Sequence, residues 1–132
     1  MPPKTPVPPR PTDAELEILS VLWERGPSTV REVHAAVSSR RPVQQYTTIL
    51  KLLQIMTDKR LARRDERQRA HVYQAAQPRE WTQRQLAGHL LQRAFGGSAK
   101  SLVIGALAAR KATPGELAEI RRMLDEYEKK ES

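Results

Sequence analysis

Residues 44–74, QQYTTILKLLQIMTDKRLARRDERQRAHVYQ, decide how this chain is read, because the apolar period changes midway and much of the positive charge is gathered there. Over 45–59, Ile49, Leu52, Leu53 and Met56 recur at i, i+3, i+4 and i+7, which puts them on one stripe of an α-helix. The opposite face carries Gln44, Thr47, Lys51, Gln54 and Asp58, with Thr48 on its shoulder. All are polar and only Lys51 is cationic. Amides, hydroxyls and a single cation suit base edges and phosphates. The same residue types also make an ordinary solvated face, so this helix alone leaves both readings open.

The second half of the stretch changes the weighting. Residues 61–65 and 70–74 are short alternating runs around the polar turn 66–69, the pattern of a β-hairpin. Leu61, Val72 and Tyr73 are expected toward the core, and Arg63, Arg64, Arg67 and Arg69 toward solvent. Between residues 40 and 75 nine cations (Arg40, Arg41, Lys51, Lys59, Arg60, Arg63, Arg64, Arg67, Arg69) face three acids (Asp58, Asp65, Glu66). That is +6 of the whole chain's formal +8. Such a local excess favours a polyanionic partner.

Working outward, Thr12 or Asp13 caps a first helix with Leu16, Ile18, Leu19, Leu22 and Trp23 on its apolar face, stopped by Gly26-Pro27. Ser28 or Thr29 caps a second, with Val30, Val33, His34 and Val37, ended by 38–42. Three short helices followed by a basic hairpin are the layout of a winged helix-turn-helix, whose third helix enters the major groove while the wing touches the flanking backbone. Residues 1–12 hold six prolines and predict an extended, disordered arm; Lys4 and Arg10 either touch phosphates or belong to a solvated tail.

Downstream, Pro78 opens a helix with Trp81, Leu86, Leu90, Leu91 and Phe95 that stops at Gly96-Gly97. Ser98 caps the next, over about 98–111, where the run 102–109 is apolar on nearly every side and therefore demands cover all round. In so short a chain a second subunit must supply part of that cover. Thr113 caps the last helix, with Pro114 at its first position and Leu117, Ile120, Met123, Leu124 and Tyr127 as its stripe. The predicted fold is mainly α: a disordered arm (1–12), a winged helix-turn-helix domain with a small β-hairpin wing (13–77) and a C-terminal helical dimerisation domain (78–132), in a homodimer.

Several function classes fall away. With no cysteine there are no disulfides or thiolate metal sites. The longest apolar run is far short of the roughly 20 residues that span a bilayer, and no secretory h-region is present, so a soluble, cytoplasmic protein is expected. His34, His71 and His89 lie in three different elements without ligand spacing, so no metal site or cofactor is expected. Glu116, Glu119, Asp125, Glu126 and Glu128 read as solvated helix faces, and Trp23 and Trp81 as packing. No nucleophile has a base beside it, so no enzyme is expected. Two functions from different classes stay open: a double-stranded DNA-binding repressor, and a winged-helix protein-interaction scaffold without sequence-specific DNA binding. The mixed chemistry of the third helix favours the first.

Taken in order, PTDAELEILSVLWERGPSTVREVHAAV (11–37), YTTILKLLQIMTDKRLARRD (46–65), RAHVYQ (69–74) and GGSAKSLVIGAL (96–107) resemble the BlaI/MecI family of penicillinase repressors, over roughly residues 11–130. The resemblance implies repression through a dyad-symmetric operator. Carried over by position, it makes Thr47, Thr48 and Lys51 the base and near-phosphate contacts on a recognition helix that also presents Gln44, Gln45, Tyr46 and Gln54. The wing contacts become Arg67 and Arg69, and Thr29 and Arg31 face a phosphate from the second helix. Leu102, Val103, Leu107, Leu117, Ile120 and Leu124 are the implied dimerisation residues. Resistance-system members are inactivated through a membrane sensor protease pathway, by a cut at an Asn-Phe bond just after Ser-Leu-Val. Here Ser101-Leu102-Val103-Ile104 runs into Gly105-Ala106, so that site is not reproduced. A copper-responsive branch uses a cysteine cluster that this chain lacks.

Overall fold

The computed structural model describes residues 8–41 and 44–131. The arm expected over 1–12 lies partly outside them; residues 8–12 carry no regular secondary structure. Pro42, read as part of the stop of the second helix, is also outside. The described residues divide into two compact units, one ending at Ala87 and the other starting at Gly88.

In the first unit α1 (Asp13–Arg25) and α2 (Val30–Arg40) begin with the same device. The Thr12 hydroxyl accepts the Glu15 N–H at 3.2 Å while the Glu15 carboxylate accepts the Thr12 N–H at 2.8 Å. Thr29 and Glu32 repeat this at 3.2 and 2.9 Å. Each reciprocal pair satisfies two otherwise unpaired donors, and a cap of this kind contributes about 1 kcal/mol. Gly26 ends α1 at φ 84°, a region that favours glycine.

The third helix, α3 (Tyr46–Asp58), is one residue shorter at each end than expected. Its N-cap, Gln45, makes no side-chain cap. Instead the turn before it is held by His34, whose Nε2–H donates to the Gln44 carbonyl at 2.9 Å. At the other end the chain reverses through Arg60, the one described non-glycine residue with positive φ (66°). The Leu61 N–H returns to the Met56 carbonyl at 2.8 Å and the Arg60 N–H to Thr57 at 3.1 Å. This is a Schellman closure with arginine where glycine is usual.

The hairpin forms from β2 (Ala62–Asp65) and β3 (Val72–Ala75), with Arg64 opposite Tyr73. Sequence period had placed its second strand at 70–74. It also missed a third strand, β1 (Ser28–Thr29), which pairs antiparallel with β3 and gives the sheet order β1-β3-β2. Tyr73 is buried but Val72 is only half-buried, because neighbours in a strand face opposite ways. The core joins Ile18, Leu19, Val21 and Leu22 of α1, Val33 and Val37 of α2, Ile49, Leu53 and Met56 of α3, and Leu61 and Tyr73. Leu52, expected in the stripe, packs half-buried at its edge.

Helix α4 (Arg79–Ala94) contains the division between the units. The second unit continues through α5 (Ala99–Ala109), capped by Ser98, and α6 (Pro114–Glu131), whose Glu116 N–H donates to the Thr113 hydroxyl at 3.1 Å. Neither α5 nor α6 contains a buried residue. Phe95 packs so close to Gly105 that a Cβ there would lie 3.2 Å from the ring.

Candidate nucleic-acid interface

Burying Ile49, Leu53 and Met56 fixes which way α3 faces, and its outer side carries Thr47, Thr48, Lys51 and Gln54, all exposed. Tyr46, in the first turn, is 45% exposed and meets the His34 ring edge-on, with centroids 5.7 Å apart. Gln45 is exposed, whereas Gln44 is half-buried with its carbonyl held by His34.

Three elements share one concave surface. A cleft of about 490 Å³ is lined by Thr29, Val30 and Arg31 from the start of α2, Tyr46, Leu50 and Gln54 from α3, and Arg64, Arg69, Ala70, His71 and Tyr73 from the wing. Thus Thr29, Arg31, Tyr46, Gln54 and Arg69 are brought together, with Thr47, Thr48 and Lys51 on the open face of the same helix. Arg67 is not in this group; it lines a separate shallow cleft with Arg63, Asp65 and Gln74. Sequence reasoning passed over Leu50 and His71 as lining residues. Leu50 could have been found, since Tyr46, Leu50 and Gln54 follow one another at i, i+4 and i+8.

The electrostatics are less uniformly positive than the charge count suggests. Lys59, counted with the exposed cations, turns inward: its Nζ donates to both carboxylate oxygens of Glu15 at 3.1 and 3.0 Å, and Glu15 is 1% exposed. Burial alone would push the Glu15 carboxyl up, but the Thr12 N–H and the Lys59 ammonium together hold it below the usual range. Arg40 pairs with Glu24, Arg41 with Glu17 and Arg64 with Glu66. Arg67 grips Asp65 through Nε and Nη2 and adds its backbone N–H at 2.9 Å, which lowers the Asp65 carboxyl to about 2. Lys51, Arg60, Arg63 and Arg69 form no ion pair among the described residues. With Arg31 at the start of α2, which also forms no ion pair among the described residues, they can meet phosphates without first breaking one.

The second unit presents a different surface. Val103 (48%), Ile104 (55%) and Leu107 (39%) are exposed on α5, as are Met123, Leu124 and Tyr127 on α6. Leu102, Leu117 and Ile120 are half-buried. Among the described residues no three metal-ligating side chains gather in one place, and no helix is long and apolar enough to cross a membrane.

The stretch from the first cap into α6 matches a known protein family. The family model described as "Penicillinase repressor" matches residues 11–126. Proteins named "Transcriptional regulator BlaI" from two Mycobacterium tuberculosis strains, CDC 1551 / Oshkosh and ATCC 25618 / H37Rv, are each 42% identical over 62 residues. That match spans 46% of this chain and 44%, under half, of the relative's length. Because the family model covers both the helix-and-wing unit and most of the C-terminal helices, the chain belongs to the penicillinase repressor family, a family of transcriptional repressors and not of enzymes.

Proposed function

We propose that the protein is a cytoplasmic homodimeric repressor that binds a dyad-symmetric operator in double-stranded DNA, with residues 13–77 reading DNA and 78–132 joining the subunits. The observation that carries this reading is the outer face of α3. Thr47, Thr48, Lys51 and Gln54 stand exposed on the side of the helix away from buried Ile49, Leu53 and Met56, so the helix projects donors and acceptors from a rigid base. Thr47, Thr48 and Lys51 read the major groove, with Gln44, Gln45, Tyr46 and Gln54 flanking them. Thr29, Arg31 and Arg69, around the adjoining cleft, take the backbone. Arg67 reaches a phosphate only by exchanging its Asp65 contact, so its contribution is smaller than Arg69's.

The apolar residues of α5 and α6 supply the subunit contact, built on exposed Val103, Leu107 and Leu124 and half-buried Leu102, Leu117 and Ile120. Family membership supports the repressor role. Induction by cutting an Asn-Phe bond does not extend to this chain, which has Gly105-Ala106 at that place; a membrane sensor acting through it would need a different bond.

The test is selection of bound duplexes from a random pool by the full-length chain, followed by mobility shift. An inverted repeat should be enriched, with log K falling against log salt at a slope of roughly −4 to −7, since each phosphate contact adds about 0.9. Binding without sequence preference at any salt concentration overturns the reading and favours the protein-interaction scaffold.

A further inference from the structure

Helix α3 begins unlike the two before it. Both α1 and α2 open on a reciprocal cap of threonine and glutamate, whereas Gln45, at the N-cap of α3, makes no side-chain cap. Its carbonyl accepts the Thr48 and Ile49 N–H groups at 3.1 and 3.2 Å, so the first turn closes on bonds shared at one oxygen. Packing does not hold that turn either. Tyr46, Thr47 and Thr48 are all exposed, and the first buried side chain of the helix is Ile49.

Among the described contacts, the anchor for this turn comes from α2. His34 sits beside fully buried Val33, and Val30 and Val37, one turn to either side, are buried too. From that base its ring meets the chain on both sides of Gln45. Nε2–H donates to the Gln44 carbonyl at 2.9 Å, and the ring stands edge-on to Tyr46, at 76° with centroids 5.7 Å apart. A carbonyl only accepts, so this contact fixes a proton on Nε2. All of these residues belong to the first unit.

We propose that His34 is a positioning residue for base readout: through its bond to Gln44 it holds the first turn of α3 where Thr47 and Thr48 meet base edges. The inference rests on the DNA-reading role given to α3 above. Base contacts discriminate only when their side chains are held to within about 0.5 Å, and an uncapped, unpacked helix end frays. Without His34 that turn moves, while the rest of the helix stays seated by Ile49, Leu53 and Met56. Lys51 and Gln54, further along, keep their places. The defect is therefore confined to one end of the reading face, and sequence-independent attraction to phosphates does not depend on it.

The experiment uses full-length protein in mobility shifts at fixed salt. The duplexes are the selected one, a scrambled one, and a set with each base pair of a half-site replaced in turn. His34→Phe keeps a ring and deletes the donor; His34→Gln places an amide N–H about as far out as Nε2 and deletes the ring. His34→Phe should lower the ratio of selected to scrambled affinity by about tenfold, with scrambled binding changed by less than about twofold, and His34→Gln should restore the ratio to within about threefold of wild type. The lost discrimination should fall at the base pairs that Thr47→Ala and Thr48→Ala also relax, and not at those relaxed by Lys51→Ala or Gln54→Ala. Circular dichroism should show both His34 variants folded. A His34→Phe protein that discriminates like the wild type overturns the positioning role and leaves the repressor standing. An even loss along the half-site, or an unfolded variant, also overturns it, because His34 then serves the fold of the whole unit. If His34→Gln fails to restore the ratio, the bond to Gln44 is not what holds the turn, and the proposal falls. A wild type without sequence preference overturns both this inference and the DNA reading beneath it.

Discussion

Helices α3 and α5 are of similar length, 13 and 11 residues, and both are rich in aliphatic side chains, yet they end in opposite circumstances. On α3 one stripe is buried, with Ile49, Leu53 and Met56 each 1% exposed or less, while Leu50 and Ile55 lie half-buried on its flanks. On α5 the apolar residues go all round, no residue is buried, and Ile104 is 55% exposed. A one-sided stripe can be satisfied by a single neighbouring layer; an all-round one cannot. The polar half of α3 is thereby left over for a partner made of polar groups, and the apolar remainder of α5 for one made of apolar groups. The difference between the two helices is a difference in what each still lacks.

The same substitution made in both helices tests this most severely. Leu53→Glu buries a charge with no counter-ion and should cost more than about 4 kcal/mol, enough to unfold the helix-and-wing unit. Leu107→Glu alters a residue that a lone chain leaves 39% exposed, so circular dichroism should show helix content preserved. Its effect should appear in assembly: sedimentation should give monomers, and operator affinity should fall by about 100-fold or more, because one half-site offers only part of the interface. A Leu107→Glu protein that stays dimeric at micromolar concentration would move the subunit contact elsewhere.

A smaller effect lies at the end of α3, where Lys59 is tied to buried Glu15; α5 ends at Arg110 with no side-chain anchor among the described contacts. The Glu15 carboxyl is held below its ordinary value of 4.5 in the folded state. Stability from this pair is therefore fully present above about pH 4.5 and is lost as the pH falls through the lower folded value. Glu15→Gln should cost about 1–3 kcal/mol at pH 7, leaving Lys59 under-paired, and should flatten the acid limb of a plot of Tm against pH. An unchanged acid limb would mean that other carboxylates govern acid unfolding.

Much of this contrast is written in local sequence. Thr12 with Glu15, Thr29 with Glu32, Ser98 and Thr113 are caps readable within four residues, and the stripes on α3 and α6 are readable within two turns. What could not be read depends on distance or brevity. Glu15 looks like any first-turn acid until Lys59, 44 positions later, is folded against it. The two-residue strand β1 has no period to detect, and pairs only because β3 lies beside it. At the candidate site, the outer face of α3 was visible as a polar arc. The splitting of the wing into paired and free arginines was not, because Asp65 and Glu66 count only as acids until the turn brings them onto Arg67 and Arg64.

The smallest effect concerns how the two helices stop. The α3 terminus has no glycine, so its sharp end at Arg60 carried no sequence signal, although Arg60 holds φ 66°. For a residue with a Cβ this conformation costs about 1–2 kcal/mol relative to the right-handed region, whereas glycine bears almost none of it. Arg60 is exposed and has no ion pair among the described residues, so replacing it removes little else. Arg60→Gly should therefore stabilise the first unit by about 0.5–1 kcal/mol in denaturant unfolding, the strain relief exceeding glycine's extra chain entropy. At the end of α5, Arg110 sits at φ −147°, an extended conformation open to any residue. Arg110→Gly should gain nothing and lose a few tenths of a kcal/mol through the unfolded chain. Equal responses at the two sites would show that Arg60 carries no strain, and that α3 is halted by the pull of Leu61 into the core instead of by the turn itself.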